Sequence, residues 1–116
     1  MKIKGYSFSV VGSRDNNEDS FLVYDDNTLY AVADGIGGGE KGEVASKMAV
    51  DGLKTNFAPG KNLREVFRLL QISVLNNALQ MFGSPVMGTT LTAVHIDQRQ
   101  VSVCHAGDSR CYLYDG

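Results

Sequence analysis

Carboxylates stand at points of this sequence where a strand ends or the chain turns. Asp34 ends the apolar run of residues 30–34 and is followed at once by Gly35. A carboxylate at a strand end is held rigidly, and a neighbouring glycine lets the backbone approach a ligand closely. A carboxylate and an adjacent carbonyl are oxygen ligands that suit a hard divalent cation. A metal site needs more ligands than these, so other segments must supply them.

Two further segments supply acidic residues. The segment RDNNEDS contains Arg14, Glu18 and Asp19, and HAGDSR contains Asp108 between two predicted strands. The simplest interpretation of the first is a solvated turn, and of the second a hairpin turn whose carboxylate bonds the backbone. A sharper interpretation of the first pairs an arginine fork, which suits phosphate oxygens, with two nearby carboxylates.

The residue types favour one class of metal and substrate. His95 and His105 lie in predicted strands, far apart in sequence, so no zinc spacing is present. Oxygen ligands without a Cys/His set favour Mg²⁺ or Mn²⁺. With an arginine nearby, the natural substrate is a phosphate ester, because two carboxylate-bridged metals can hold a hydroxide for in-line attack.

A glycine-rich stretch follows Asp34. Residues 37–42, GGGEKG, match the G-x-G-x-x-G pattern of dinucleotide-binding loops, in which a helix N-terminus faces a pyrophosphate. That fold needs a strand directly after the helix. Here Pro59 and Gly60 are followed by a second helical pattern, which disfavours a dinucleotide site. A Walker loop is excluded because no Gly-Lys-Ser/Thr follows.

Bulk properties narrow the class of protein. The 116 residues fit one domain, and the net charge of -2 implies no nucleic-acid partner. No apolar run approaches the roughly 20 residues that span a bilayer, and no signal peptide is evident, so we expect a cytoplasmic protein without a membrane partner. Cys104 and Cys111 lack C-x-x-C spacing and are predicted to be reduced core residues.

Strands are predicted at both ends of the chain. The first covers residues 6–12, and residues 21–34 predict two strands about a turn at Asp25-Asp26-Asn27. The second strand of this hairpin is nearly all apolar, which predicts burial on both faces. Three more strands are predicted at residues 89–97, 100–107 and 110–115.

Two consecutive helices are predicted between the strands. Apolar residues recur at helical spacing over residues 42–57 and again over residues 63–81. The second helix has a wide apolar face, so we expect it to be heavily covered. The order of strands, two helices and strands indicates an α+β fold with antiparallel pairing rather than alternating β-α-β units.

Four segments carry a family resemblance. GSRDNNEDS, VADGIGGGEKGEVAS, MGTTLTAVHID and HAGDSRCYLYDG occur in this order with compatible spacing. Together they resemble the metal-dependent serine/threonine protein phosphatases of type 2C, especially the bacterial branch, from about residue 8 to residue 116. The resemblance implies a four-layer α-β-β-α sandwich of two antiparallel sheets flanked by helix pairs. Residues 1–116 would form the N-terminal part of this single catalytic domain.

The same resemblance implies a reaction and three site residues. The expected activity removes phosphate from phosphoserine and phosphothreonine of a protein substrate with a hydroxide held between two Mn²⁺ or Mg²⁺ ions. Arg14 would bind the substrate phosphate. Asp34 would bridge the two metals, and the carbonyl of Gly35 would complete the coordination of one of them.

The remaining motif residues have supporting roles in the family. Glu18 and Asp19 would act mainly through metal-bound waters, and Asp108 would help to hold a third, looser metal. Thr89 and Thr90 belong to a Gly-Thr-Thr motif that looks structural, a strand start packed near the site.

The sequence departs from the family pattern at two places. Ile36 stands where many eukaryotic members have a histidine, so no general acid is assigned and a metal-bound water is the fallback hypothesis. The family domain is also longer, and its C-terminal half supplies two further metal-binding aspartates that no residue here matches; Asp115 falls in a turn.

This second departure leads to expectations about the chain by itself. Few ligands predict weak metal binding and little or no turnover. Uncovered strand edges predict a dimer or a swapped assembly, or contact with a missing partner segment. The alternative function is a catalytically incompetent, phosphatase-like binding or regulatory module.

Overall fold

The structure is a computed structural model that describes residues 3–9, 17–37, 40–58, 60–97 and 100–113. One antiparallel sheet has the strand order β1-β2-β4-β5, and the short β3 pairs with the end of β2. The fold is α+β, as predicted. The elements are β1 (Asp19–Tyr24), β2 (Leu29–Ile36), α1 (Glu40–Asn56), α2 (Leu63–Phe82), β3 (Gly88–Thr89), β4 (Leu91–Ile96) and β5 (Val101–Ala106).

The predicted hairpin of the first two strands is confirmed. A single turn of 3₁₀-helix over Asp25–Asn27 joins β1 to β2, and Thr28 closes it in the left-handed conformation with φ 48°. The register then runs without a bulge from Tyr24 opposite Leu29 to Asp19 opposite Asp34. The two acidic residues at the far end of the hairpin are therefore brought side by side.

Strand β2 is buried on one face only, so the prediction of burial on both faces is wrong. Ala31 and Ala33 are in the core, whereas Val32 is 48% exposed and Ile36 is 62% exposed. The reason is that the side chains of a strand alternate between its two faces, and the core of β2 lies on the face against which α1 packs. We call this side of the sheet the helix face and the other side the open face.

Both helices occur where their apolar spacing predicts them. Asn62 caps α2, because its Oδ1 accepts a hydrogen bond of 2.8 Å from the backbone N–H of Arg64, and Gly83 ends the helix at φ 75°. The buried sides of the helices meet the helix face of the sheet around the fully buried Leu29 and Leu53.

The predicted heavy coverage of α2 is wrong. Its buried residues, such as Val66 and Leu70, lie on one side, while large apolar side chains on the opposite side are 45–58% exposed. A wide apolar face does not by itself predict burial, because burial also requires another element to pack against that face. The exposed residues on that side are Leu69, Ile72, Leu75 and Leu79.

The remaining strand predictions have mixed outcomes. Strands β4 and β5 are confirmed, and the tight link between them is closed by a 3.0 Å hydrogen bond from the N–H of Asp97 to the carbonyl of Gln100. The structure assigns no strand over residues 6–9 or 110–113; residues 10–12, 114 and 115 lie outside the described ranges.

The cysteines and His95 lie in different environments. Cys104 and Cys111 are free thiols as predicted, but Cys111 is exposed rather than in the core. His95 packs its ring against that of Phe57 at a centroid distance of 4.8 Å. Within the described ranges no helix is both long and apolar enough to cross a membrane.

Candidate metal and phosphate site

Residues from four chain segments form one row across the sheet near the end of β2. Asp19 is the register partner of Asp34 in the β1–β2 pair. Continuing the β2–β4 and β4–β5 registers by one step places Thr90 opposite Asp34, and Gly107 opposite Thr90. Because directly opposed residues on antiparallel strands share a face, the side chains of Asp19, Asp34 and Thr90 stand on the same side of the sheet.

That side is the open face. Asp34 alternates with Ala33 and Gly35, which are buried, and it shares its face with Val32. Asp34 is half-buried and Asp19 is exposed. Farther along the same face lies an apolar trough with a volume of about 590 Å³, whose floor includes Phe21, Val23, Tyr30, Val32 and Val94. The two carboxylates therefore stand at one end of the open face.

The backbone of Asp34 is fixed by Thr90. The N–H of Thr90 donates to the carbonyl of Asp34 over 2.9 Å, and the N–H of Asp34 donates to the side-chain Oγ1 of Thr90, also over 2.9 Å. Thr90 is 6% exposed. The sequence led us to expect only a packed strand start from Thr90, and its hydrogen bond to Asp34 was missed.

Gly35 is placed where only glycine fits. A Cβ built on Gly35 would lie 1.8 Å from the carbonyl oxygen of Gly42 in the first turn of α1. The end of β2 and the start of α1 thus touch backbone to backbone, which requires a glycine on the strand. This contact assigns a packing role to two glycines of the glycine-rich segment; Gly38 and Gly39 lie outside the described residues.

Glu18 and Asp19 are neighbours in sequence but lie on opposite faces of the sheet. The carbonyl of Glu18 accepts a 2.9 Å hydrogen bond from the N–H of Gly35, which continues the β1–β2 ladder. The carboxylate of Glu18 lies at the first turn of α1, so close that a Cβ on Gly42 would be 2.7 Å from its Oε2. A negative charge at a helix N-terminus is favourable. Of the two carboxylates, only Asp19 shares a face with Asp34.

The other two predicted site residues are placed differently. Asp108 is exposed in the turn after β5, next to Gly107 at the end of the row. Gly107 has φ 112°, and a Cβ there would lie 2.5 Å from Cγ2 of Thr90, so this turn packs tightly against Thr90. Arg14 lies outside the described residues, so its position relative to Asp34 stays a prediction.

The donors brought together are of the type that Mg²⁺ and Mn²⁺ prefer, because Asp19 and Asp34 offer carboxylate oxygens. Within the described ranges, however, no group of three or more His, Cys, Asp or Glu side chains is arranged to hold a metal ion. The described residues therefore supply part of a metal site. The rest of its ligands must come from other residues or from water.

Comparison with known proteins gives a family for this arrangement. A sequence model of the family described as "Protein phosphatase 2C" matches residues 8–116. The serine/threonine phosphatase stp of Listeria monocytogenes is 36% identical over 113 residues, which cover 86% of this chain and 45% of the relative. The serine/threonine protein phosphatase PstP of Mycobacterium tuberculosis is 36% identical over 114 residues, covering 86% of this chain and 20% of PstP.

A solved structure extends the similarity to three dimensions. The catalytic domain of PstP in complex with two manganese ions matches this fold with a TM-score of 0.73 and 30% identity, over 95% of this chain and 47% of that chain. The chain thus spans about half the length of the Listeria relative and of this catalytic domain, and a fifth of full-length PstP. Because the family match covers almost the whole sequence, the chain belongs to the protein phosphatase 2C family.

Proposed function

We propose that this chain contributes the N-terminal part of a catalytic domain that dephosphorylates phosphoserine and phosphothreonine in proteins. The observation that carries the proposal is the pair of opposed carboxylates, Asp19 and Asp34, on the open face. They stand at the motif positions that the resemblance assigns to metal binding. The names of the relatives, which are serine/threonine phosphatases, support the same reaction class.

In this proposal Asp34 and the carbonyl of Gly35 would hold Mn²⁺ or Mg²⁺. The manganese ions in the PstP structure support this choice of cofactor. When bound, such ions supply charge neutralisation at the phosphate and an activated water. The chain's own contribution is rigidity, because the Asp34 backbone is held by Thr90 on one side and the Gly35 backbone by α1 on the other.

The surrounding residues take secondary roles. Asp19 acts through water next to Asp34, and Asp108 helps to hold a third metal at the end of the row. Glu18 is the farthest from its proposed role, because its carboxylate lies beside Gly42 on the helix face. To act through a metal-bound water, Glu18 must reach around the end of β1. Arg14 is proposed to bind the substrate phosphate.

The experiment measures Mn²⁺-dependent hydrolysis of p-nitrophenyl phosphate and of a phosphothreonine peptide, with and without chelator. Asp34→Asn is expected to abolish all chelator-sensitive turnover. Asp51→Asn, an exposed carboxylate on α1, is the matched control and should leave the rate unchanged. Arg14→Ala should chiefly raise KM, because it removes a phosphate contact. An unchanged rate in Asp34→Asn would refute the metal assignment.

If turnover is too weak to measure, calorimetric titration with Mn²⁺ tests metal binding directly. Each divalent ion prefers about six oxygen ligands, and the described residues provide fewer than three suitable side chains in one place. We therefore expect weak Mn²⁺ binding that Asp34→Asn removes and Asp51→Asn leaves intact. Heat of binding that persists in Asp34→Asn would place the metal elsewhere.

The incomplete donor group also favours a second candidate, a phosphatase-like binding or regulatory module without turnover. This candidate predicts that a phosphothreonine peptide binds while its phosphate stays attached in the presence of Mn²⁺. Chelator-sensitive release of phosphate from the peptide by the wild-type chain, absent in Asp34→Asn, would exclude it.

We also propose that the open face packs against a second copy of the chain. Apolar side chains there, including Phe21 at 47% and Val103 at 51% exposure, form a surface that folded monomers normally cover. Light scattering should show a dimer that Val32→Lys disrupts, whereas Leu69→Lys, on the outer side of α2, should leave it intact. A monomer at all concentrations would contradict this assembly.

A further inference from the structure

We propose that Thr90 is a positioning residue that couples Asp34 to the turn containing Asp108. Its hydroxyl group contacts both segments at once. The inference rests on the proposed function, since it assigns a role to Thr90 in metal binding by Asp34. In this proposal the hydroxyl group of Thr90 is the part of the Gly-Thr-Thr motif that supports the site.

The hydrogen-bond ladder between β2 and β4 is interrupted at Asp34. The bond from the N–H of Ile96 to the carbonyl of Thr28 sets the alternation of the β2–β4 ladder. By that alternation, Asp34 and Thr90 form a hydrogen-bonded pair, which normally exchanges two N–H···O=C bonds. One of the two is present, from Thr90 to Asp34. The other goes to the Oγ1 of Thr90 instead of its carbonyl.

The carbonyl of Thr90, which the Asp34 N–H does not use, has another partner. The carbonyl of Thr90 accepts a 2.7 Å hydrogen bond from the Oγ1 of Thr89. Both threonines of the motif therefore use their hydroxyl groups to rebuild one ladder position. This arrangement makes the hydrogen bond of the Asp34 N–H depend on a side chain.

Thr90 also contacts the turn that contains Asp108. The Oγ atoms of Thr90 and Ser109 lie 3.3 Å apart, and Cγ2 of Thr90 packs against Gly107. The two residues that flank Asp108 thus both contact Thr90. A hydroxyl group can accept one hydrogen bond and donate another, so the Thr90 side chain can serve Asp34 and Ser109 together.

The consequence is a defined effect on metal binding. Groups that orient metal ligands through hydrogen bonds typically change metal affinity by about 10- to 100-fold when they are removed. Thr90→Val keeps the shape of the side chain and removes the hydroxyl group. It leaves the N–H of Asp34 without its acceptor, and we expect the Kd for Mn²⁺ to rise by at least about tenfold.

The test compares four variants of the full chain. Thr90→Val removes the hydroxyl group, Thr90→Ser keeps it, and Ser109→Ala removes only the contact with the turn. Thr92→Val is the matched control, because Thr92 is a buried threonine of β4 whose Oγ1 lies 3.0 Å from Nδ1 of His105 rather than near the Asp34 N–H. Each variant is measured for Mn²⁺ affinity by calorimetry and for amide hydrogen exchange by NMR without metal.

The expected pattern separates positioning from simple loss of stability. In Thr90→Val the amide of Asp34 should exchange roughly tenfold faster relative to the amide of Val32, since one hydrogen bond is lost. Thr90→Ser should restore both the exchange rate and the Mn²⁺ affinity. Thr92→Val should lower stability without changing the ratio of the Asp34 and Val32 exchange rates or the Mn²⁺ affinity. Ser109→Ala should weaken Mn²⁺ binding less than Thr90→Val does.

Two results would overturn the inference. One is equal Mn²⁺ affinity in Thr90→Val and the wild type, while Asp34→Asn abolishes binding. The other is an unchanged Asp34 exchange ratio in Thr90→Val. If the wild-type chain and Asp34→Asn respond identically to Mn²⁺, the proposed function fails instead, and the exchange ratio alone then decides whether Thr90 holds Asp34.

Discussion

The two faces of strand β2 carry different parts of this protein. On the helix face, Ala31, Ala33 and Gly35 are buried against the helices. On the open face, Val32 and Asp34 alternate with them and keep contact with solvent. One strand of eight residues thus supplies small side chains to the core and a carboxylate to the candidate site.

The difference shows how packing on one face orients chemistry on the other. Small residues let α1 approach β2 until backbones touch at Gly35 and Gly42. This contact fixes the end of the strand, and Asp34 projects from that fixed end toward the open face. We therefore expect substitutions of the buried helix-face residues of β2 to affect stability strongly, and substitutions of its exposed open-face residues to affect it weakly.

The largest effect is expected at the closest contact of the helix face. Gly35→Ala places a Cβ where the carbonyl oxygen of Gly42 would be 1.8 Å away, so strand and helix must separate. We expect a loss of more than about 3 kcal/mol in the free energy of unfolding. Gly88→Ala is the control, because a Cβ there meets nothing within 4 Å. Urea unfolding followed by circular dichroism measures both; equal losses would break the comparison.

The next effect compares two apolar residues of the same strand. Leu29 is fully buried on the helix face, and Leu29→Ala should cost about 3 kcal/mol because a cavity remains. Val32 is 48% exposed, and Val32→Ala should cost less than about 1 kcal/mol. The measurement is the urea midpoint at low protein concentration. A larger cost for Val32→Ala that grows with concentration would show that the open face is covered in an assembly.

A smaller effect is expected from a polar contact on the helix face. Ser46 is fully buried in α1, and its Oγ lies 2.8 Å from that of Ser20 in β1. Ser46→Ala should reduce the free energy of unfolding by about 1 kcal/mol. Ser73→Ala, at an exposed position of α2, should change it by less than about 0.5 kcal/mol. Thermal unfolding of the two variants makes the comparison; similar melting temperatures would contradict it.

The smallest effect concerns Tyr30 on the open face. Burial, together with the hydrogen bond to Asp25 and its charge, raises the pKa of Tyr30 from 10.0 to about 12. The folded protein therefore holds this proton more tightly than the unfolded chain does. Its contribution to stability is complete below about pH 10 and is lost as the pH rises toward about 12.

Tyr30→Phe tests this pH dependence. The variant should lose less stability than the wild type between about pH 9 and about pH 11, measured as the shift of the urea midpoint. Asp25→Asn removes the charge and should lower the pKa of Tyr30, which ultraviolet titration of the tyrosinate can follow. An identical alkaline loss in wild type and Tyr30→Phe would contradict the assignment.

Local signals explain why much of the fold could be predicted. The turn residues Asp25–Asn27 and the helical spacing of apolar residues act between near neighbours, so the hairpin and both helices were found. Coverage is a long-range property. Nothing in the local pattern of residues 28–34 shows that helices pack against only one face, so the burial of Val32 was mispredicted.

Some residues of the candidate site could likewise be predicted from the sequence, whereas Thr90 could not. Asp34 and Asp19 could be selected from residue type and motif, and the structure brings them together. The contribution of Thr90 could not be found from type alone, because threonine is a common strand residue. The signal that could have identified Thr90 is the antiparallel register, which places it opposite Asp34.

The sequence by itself determined the hairpin, both helices and the family, and it singled out the candidate carboxylates, because these depend on local spacing and motif residues. Tertiary structure alone decided which carboxylates share a face. Glu18 and Asp19 are adjacent in sequence, yet strand geometry sends Glu18 toward α1 and Asp19 toward Asp34. The docking of the two helices, closest at the Gly35–Gly42 contact, made one face a core and left the other for the candidate site.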